Sequence, residues 1–247
     1  MSKSAAHVQV FGIVPAAGSS RRMGRPKPSL PYGDSTMVGI VVRTLLNADL
    51  DGVVVVTRSE LAASLALPGD PRIVIVHNDD ANSEMIDSVR AALMHLVISV
   101  PGGSVEEQSR IEAPSIDTCP EPRRIRHSTL VLSLEGIDNP RRPSAAVGVL
   151  IVPADMPAIR VETYRACLAA FAVDPESLVV AASDGKRGHP IIFPWSMRPD
   201  VMGLHNGLRE LTQIHAGRVR LVETGDPGVT RDVDSPDDYE RLRSAER

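Results

Sequence analysis

With 247 residues the chain can bury a sizeable core as one α/β domain (1–247), and a formal charge near −4 excludes the strongly basic footprint of a general nucleic-acid binder. Cys119 and Cys167 stand in dissimilar contexts, so neither a disulfide framework nor a zinc site is expected, and a reducing cytoplasm is the natural setting. No apolar run approaches the ~20 residues that span a bilayer, and the first fourteen residues lack the layout of a signal peptide, so no membrane partner is expected.

One Trp, three Tyr and three Phe leave the core to Val, Ile, Leu and Ala, and these come in runs. Residues 8–14 read as a buried first strand. The pattern predicts a helix over 36–48 with Met37, Ile40, Val41, Thr44 and Leu45 on one face, a strand at 53–56, and a short helix at 59–67 stopped by Pro68-Gly69. A strand at 72–76 and a helix over 83–96 follow, the helix striped by Met85, Val89, Leu93 and Leu96. From 99 to 145 the pattern breaks into a Pro- and charge-rich insertion in which only 127–134 looks like a strand; a segment of that length is either a functional loop or flap, or disordered.

Regularity returns with a central strand at 147–152, a helix over 161–173, strands at 178–182 and 190–193, short helices near Ser196 and Asn206, and a strand at 219–222. The last helix opens at Ser235, a capping residue, with Pro236 at its first position and Asp238 placed to complete a capping box. Strands alternating with helices indicate βαβ units and a largely parallel sheet covered on both faces.

The most informative segment is Val14-Pro-Ala-Ala-Gly-Ser-Ser-Arg-Arg-Met-Gly-Arg-Pro-Lys27. From Gly18 to Lys27, ten residues hold two glycines, two hydroxyls and four cations. Small residues let the backbone N–H groups approach a ligand, and the Arg and Lys side chains offset negative charge, which is the chemistry of a triphosphate cradle at a strand end. Two familiar phosphate loops do not fit. Gly18 and Gly24 stand six apart, which rules out Gly-x-Gly-x-x-Gly, and Lys27 lies three residues past Gly24 with Pro28 behind it, which rules out Gly-x4-Gly-Lys-Ser/Thr.

This segment resembles the opening motif of the MobA-like nucleotidyltransferases, of the molybdenum-cofactor and sugar-nucleotide type: roughly Leu-Ala-Ala-Gly-x-Ser-x-Arg-Met-Gly-x-Pro-Lys. Ala16, Ala17, Gly18, Ser20, Arg22, Met23, Gly24, Pro26 and Lys27 match it in register, with Pro15 where Leu is usual. The resemblance implies a three-layer, Rossmann-like nucleotide-diphospho-sugar transferase fold of the α/β class with a mostly parallel mixed sheet. It implies nucleotide binding by Ala16, Ala17, Gly18, Ser19, Ser20, Arg22 and Lys27, with Arg22 and Lys27 also in catalysis.

Other segments resemble the same family. Ile151-Val-Pro-Ala-Asp155-Met-Pro resembles its Leu-x-x-Asp-x-Pro element, whose Asp binds the metal; a carboxylate just past a buried parallel strand is well placed for that, and capping of the next segment is the alternative. Thr230-Arg-Asp232-Val-Asp234-Ser-Pro-Asp-Asp-Tyr239 resembles the late Asp-x-Asp-Thr-Pro-Glu-Asp-Tyr element. Its alternation sets Asp232 and Asp234 on one side of an extended segment, so either could be the second metal contact while the other caps the last helix. Gly188-His189-Pro190-Ile-Ile-Phe193 resembles the strand that borders the acceptor in the molybdopterin cytidylyltransferase branch, the alternative for His189 being a hydrogen-bonded structural role. Met85, Ser88 and Arg90 match a segment that touches the nucleotide, whereas Glu84 and Asp87 depart from it; a plain polar helix face is the alternative for Ser88 and Arg90.

Together these expectations describe Mg²⁺-assisted transfer of a nucleoside monophosphate to a phosphorylated small-molecule acceptor, with release of pyrophosphate. Within the family Ala17 before Gly18 is typical of members using a pyrimidine triphosphate, which with Gly188-His189-Pro190 points to CTP and a molybdopterin-like acceptor. Two alternatives stand beside this reading: a sugar- or polyol-phosphate transferase of the same fold, and a non-catalytic nucleotide-binding module.

Overall fold

The first strand, β1 (Gln9–Pro15), is apolar on both faces, with Val10 and Val14 on one side and Phe11 and Ile13 on the other, so it is stable only at the centre of a covered sheet. The computed structural model describes residues 8–18, 23–96 and 146–244 and puts β1 there. The insertion at 99–145 with its expected strand lies outside the described residues, as do Ser19, Ser20, Arg22 and Cys119.

After the glycine loop come a two-stranded hairpin, β2 (Pro31–Tyr32) and β3 (Ser35–Thr36), and helix α1 (Met37–Asn47), whose first turn is capped by the Thr36 hydroxyl accepting from Gly39 N–H. β4 (Gly52–Thr57), β5 (Ile73–His77) and α2 (Met85–His95) complete the first half. The second half holds β6 (Val147–Ile151), α3 (Val161–Val173), β7 (Leu178–Ser183), β8 (Lys186–Pro194), the short helices α4 (Arg198–Gly203) and α5 (Leu208–Ile214), β9 (Val219–Glu223) and α6 (Pro236–Ser244).

The large sheet has seven strands in the order β5-β4-β1-β6-β8-β7-β9, and every pairing is parallel except those of β8 with β6 and β7. α1 and α3 cover one face, α2, α4 and α5 the other, which gives three layers with an aliphatic core on each side of the sheet. Fully burying one such Val, Leu or Ile contributes about 1.5–3 kcal/mol, so the two cores dominate stability.

β1 lies between β4, reached through α1, and β6, reached only after the chain has gone out to β5 and returned. The strand order therefore reverses beside β1, and in open parallel sheets the crevice beyond the strand ends at such a point is where ligands bind. No helix of the described residues is long and apolar enough to cross a membrane.

Three expected elements differ. Residues 59–67 hold only a three-residue 3-10 turn, Ala62–Ser64; the backbone turns into the left-handed region at Ala66 (φ +46°), where the carbonyls of Leu65 and Ala66 accept from the hydroxyls of Thr36 and Ser35. α2 starts at Met85, whose side chain is exposed, and Ile86 takes the buried place in its stripe. The strand expected at 190–193 is longer, beginning at Lys186, and runs antiparallel to its neighbours.

Candidate active site

The end of β1 is fixed by the sheet: Ala16 N–H donates to the Val56 carbonyl at 2.7 Å, and Arg58 Nε donates to the Ala17 carbonyl at 3.2 Å. Ala16 and Ala17 are buried while Gly18 is exposed, and a Cβ at Gly18 would meet nothing within 4 Å among the described residues, which leave the space above that backbone open to a ligand. The chain then turns at Gly24, in the left-handed region at φ +67°, and enters a 3-10 turn, Lys27–Ser29. Leu30 and Met37 pack with Val233 and Tyr239, and the Tyr239 hydroxyl donates to the Pro31 carbonyl at 2.6 Å, which ties the far side of the loop to α6.

Lys27 points inward, its side chain 13% exposed, with Nζ 2.6 Å from Asp234 Oδ1 and 3.4 Å from Asp155 Oδ2. Burial alone would lower its pKa, but the Asp234 hydrogen bond and the charges of Asp155 and Asp234 outweigh it, so the ammonium is held charged above the usual lysine value.

Asp155 follows β6, whose end is zipped to β1 by Val152 N–H donating to Ile13 O and Ala154 N–H to Pro15 O, both at 3.2 Å. The loops after β1 and β6 are therefore neighbours by sheet geometry. Burial pushes the Asp155 carboxyl up, Lys27 offsets only part of that, and the nearby Asp232 charge adds to it.

Asp232 and Asp234 arrive by another route. Asp226 is buried at 1% exposure and accepts from Thr163 Oγ1 at 2.7 Å and from the N–H groups of Arg160 and Gly228, both at 2.9 Å. Burial would raise its pKa, yet the hydrogen bonds from Thr163, Arg160 and Gly228 win and hold the carboxyl below the usual aspartate value. It anchors the 3-10 turn Pro227–Thr230, which lies so close to β8 that a Cβ on Gly188 would sit 1.9 Å from the Val229 carbonyl oxygen. The chain emerges from that turn with Val233 N–H donating to the Asp155 carbonyl at 3.0 Å and the Val233 side chain buried. Asp232 thereby lines the cleft beside Asp155, while Asp234 takes Lys27.

His189 enters from the start of antiparallel β8. Its Nδ1 lies 3.3 Å from the Ile151 carbonyl, which can only accept, so Nδ1 carries the hydrogen. Burial pushes the imidazole pKa down, keeping the ring neutral with Nε2 as its other hydrogen-bonding atom. Ser88, 2% exposed, accepts from Asn78 Nδ2 at 3.4 Å and contributes to the cleft wall. Arg90 is engaged elsewhere, with Asp87 at 2.9 Å and with the Leu204 carbonyl. The unexpected acids have a local reason: Asp87 Oδ2 accepts from Glu84 N–H at 2.9 Å in a capping box that starts α2.

These residues enclose a cleft of about 540 Å³ that includes Ala16, Gly18, Lys27, Ser88, Asp155, His189 and Asp232. A second cavity of about 690 Å³ continues from it past Met85, Arg187 and His189 to the 206–213 segment. The site residues expected from sequence and lying within the described residues converge here, except that Ala17 is buried behind the wall and Asp234 acts on Lys27. Sequence reasoning missed Asp226 and Arg58; the Gly225-Asp-Pro-Gly228 turn pattern was the available signal for the former, and nothing local marks Arg58.

Among the described residues no three His, Cys, Asp or Glu side chains form a ready-made metal cage. Asp155 and Asp232 are hard oxygen donors, and Mg²⁺ is commonly held by one or two carboxylates plus substrate phosphates, so the pair fits such an ion. The arrangement can receive a polyphosphate, with open backbone at Gly18 and a charged lysine, and has two acids beside it that fit a cation.

The sequence matches the family model described as MobA-like NTP transferase domain over residues 12–221. The purine catabolism protein PucB of Bacillus subtilis (strain 168) is 28% identical over 241 residues, covering 96% of this chain and 97% of PucB. The crystal structure of Rv0371c from Mycobacterium tuberculosis H37Rv superposes with a TM-score of 0.65 at 24% identity, covering 97% of this chain and 99% of that one. A structure of Rv0371c in complex with manganese gives 0.59 at 22% identity, covering 97% and 100%. A nucleotidyl transferase from Methanothermobacter thermautotroptrophicus gives 0.65 at 19% identity, covering 96% and 97%. At these identities the structural likenesses speak to the fold.

Proposed function

The chain belongs to the MobA-like NTP transferase family and is a nucleotidyltransferase, and from that premise we propose that it transfers CMP from CTP to a phosphorylated, molybdopterin-like acceptor in the cytoplasm, assisted by Mg²⁺. The observation that carries this reading is the meeting of Lys27, Asp155 and Asp232 in one cleft at the reversal of strand order beside β1. CTP is supported by the resemblance alone, through Ala17 before the loop glycine, since Ala17 itself is buried behind the cleft wall. A divalent cation is supported by the two carboxylates and by the manganese complex of Rv0371c.

In this reaction an acceptor phosphate oxygen forms a bond to the α-phosphorus as the bond from that phosphorus to the bridging oxygen breaks, and pyrophosphate carries away the electron pair. A phosphate monoester, with its second pKa near ~6, is already ionised at neutral pH, so no general base is assigned. Lys27 neutralises phosphate charge, the open backbone at Gly18 lets the triphosphate approach, and neutral His189 borders the acceptor side. Asp155 and Asp232 would hold Mg²⁺, which supplies charge neutralisation at the phosphates.

The test is pyrophosphate release with each of CTP, ATP, GTP and UTP against molybdopterin and a panel of sugar and polyol phosphates. CTP with molybdopterin is expected to be fastest. Faster release with a sugar phosphate, or no preference for CTP, overturns the assignment.

A further inference from the structure

Arg58 follows β4 and takes no part in lining the cleft, yet its Nε donates to the Ala17 carbonyl at 3.2 Å, one peptide away from Gly18, which does line it. We propose that Arg58 is a positioning residue: by holding that carbonyl it turns the Gly18 N–H toward the cleft, where the amide donates to a nucleotide phosphate. This rests on the nucleotidyltransferase reading above.

A peptide unit is planar, and in the trans form its C=O and N–H point in opposite directions. The Ala17–Gly18 bond is trans, so whatever fixes the Ala17 carbonyl also fixes the Gly18 N–H facing away from it. Gly18 has no side chain to hold its own orientation, and among the described residues no group accepts from its N–H. A backbone N–H binds an anion best when it is aimed beforehand, because a loose peptide must be ordered as the ligand arrives. Arg58 can do the aiming because its own backbone is held by two strand ends. Thr57 before it is fully buried, and its carbonyl accepts from Asn78 N–H at 2.9 Å. Ser59 after it donates both its N–H and its hydroxyl to Asp79, each at 2.7 Å. The ion pair of Arg58 with exposed Glu60 spans 3.8 Å, so the Ala17 carbonyl is the nearer of the two partners and the better account of where the guanidinium sits.

Two variants of equal reach separate aiming from charge. Methionine places a methyl group, and glutamine an amide nitrogen, as many bonds from Cα as the arginine Nε. Arg58→Met therefore removes the donor, whereas Arg58→Gln keeps a donor without the charge. The probe is inorganic tripolyphosphate with Mg²⁺, which carries the phosphates without a base, and binding is read by calorimetry. Arg58→Met is expected to weaken binding about fivefold or more, and Arg58→Gln to stay within about twofold of the parent. In the parent carrying isotope-labelled glycine, the Gly18 amide resonance should move when the probe is added, and in Arg58→Met it should move less. Equal losses in both variants would mean a direct charge contact and overturn the proposal. So would no loss in Arg58→Met, no binding by the parent, or a Gly18 amide that ignores the probe. Should Arg58→Met melt early, Arg58→Leu, which also lacks a donor, takes its place. If the parent chain releases no pyrophosphate from any nucleotide, the proposed function fails, and the tripolyphosphate comparison still decides the role of Arg58.

Discussion

Two regions bring carboxylates to the same cleft by different means. Asp155 sits at the end of β6, in a sheet whose strands carry fully buried side chains and whose ends are joined by backbone hydrogen bonds to β1. Asp232 and Asp234 belong to a segment outside the large sheet, held by one buried acid, Asp226, and by a backbone packed hard against Gly188. The first region owes its position to the whole core, whereas the second depends on a few contacts that single substitutions can remove. Function and stability should therefore separate in the first region and fall together in the second.

The largest effect tests the first half of that contrast. Asp155→Asn should lower pyrophosphate release about 10²–10³-fold. Its thermal melt should stay level or rise, because burial raises the carboxyl's pKa in the fold and the ionised form is then an expense to folding at neutral pH. A melt lowered by several degrees would break the comparison. Next comes Gly188→Ala, whose new Cβ would meet the Val229 carbonyl oxygen at 1.9 Å. It should cost about 3 kcal/mol in urea unfolding and displace Asp232, so activity falls with stability.

Asp226→Asn is expected to cost about 2 kcal/mol at pH 7. The Asp226 carboxyl titrates below its ordinary value of 3.8 in the fold, so its stabilisation is present above that value and is lost as pH falls through the lower folded value. Urea unfolding of both proteins from pH 7 downward should show the gap narrowing once the pH is below 3.8; a constant gap would mean that the charge does not matter. Smallest of all, Gly18→Ala meets nothing within 4 Å among the described residues and should change stability by under about 0.5 kcal/mol, while calorimetry with CTP–Mg²⁺ registers weaker binding.

The strands were legible because β-branched runs such as Val53-Val-Val-Val56 have few other uses, and α3 occupies the expected 161–173 because its ends and its buried Thr163, Tyr164, Cys167 and Phe171 agree. The opening of α6 at Ser235 was written in its capping residues, and Asp238 accepts from Ser235 N–H as expected. The 59–67 segment misled because its alanines and leucines favour a helix, whereas its end turns left-handed at Ala66 and is tied to Ser35 and Thr36, far away in sequence. Strand direction left no local mark in β8 either, since alternation reads the same both ways. In the site, the residues on strand ends, Lys27's loop and Asp155, could be read from motif and position. The division of labour between Asp232 and Asp234 could not, because identical side chains two positions apart are distinguished only by what folds against them.

The reversed course of β8 carries a consequence for how this cleft is written along the chain. Parallel strands deliver their last residues to this rim, but β8 delivers its first, so Arg187, Gly188 and His189, just after the turn from β7, line both cavities. The glycine loop is thus spelled early in the polypeptide, while the carboxylates beside it and most of the wall beyond His189 are spelled late. Changes to the late segments can therefore reshape the second cavity without rewording that loop.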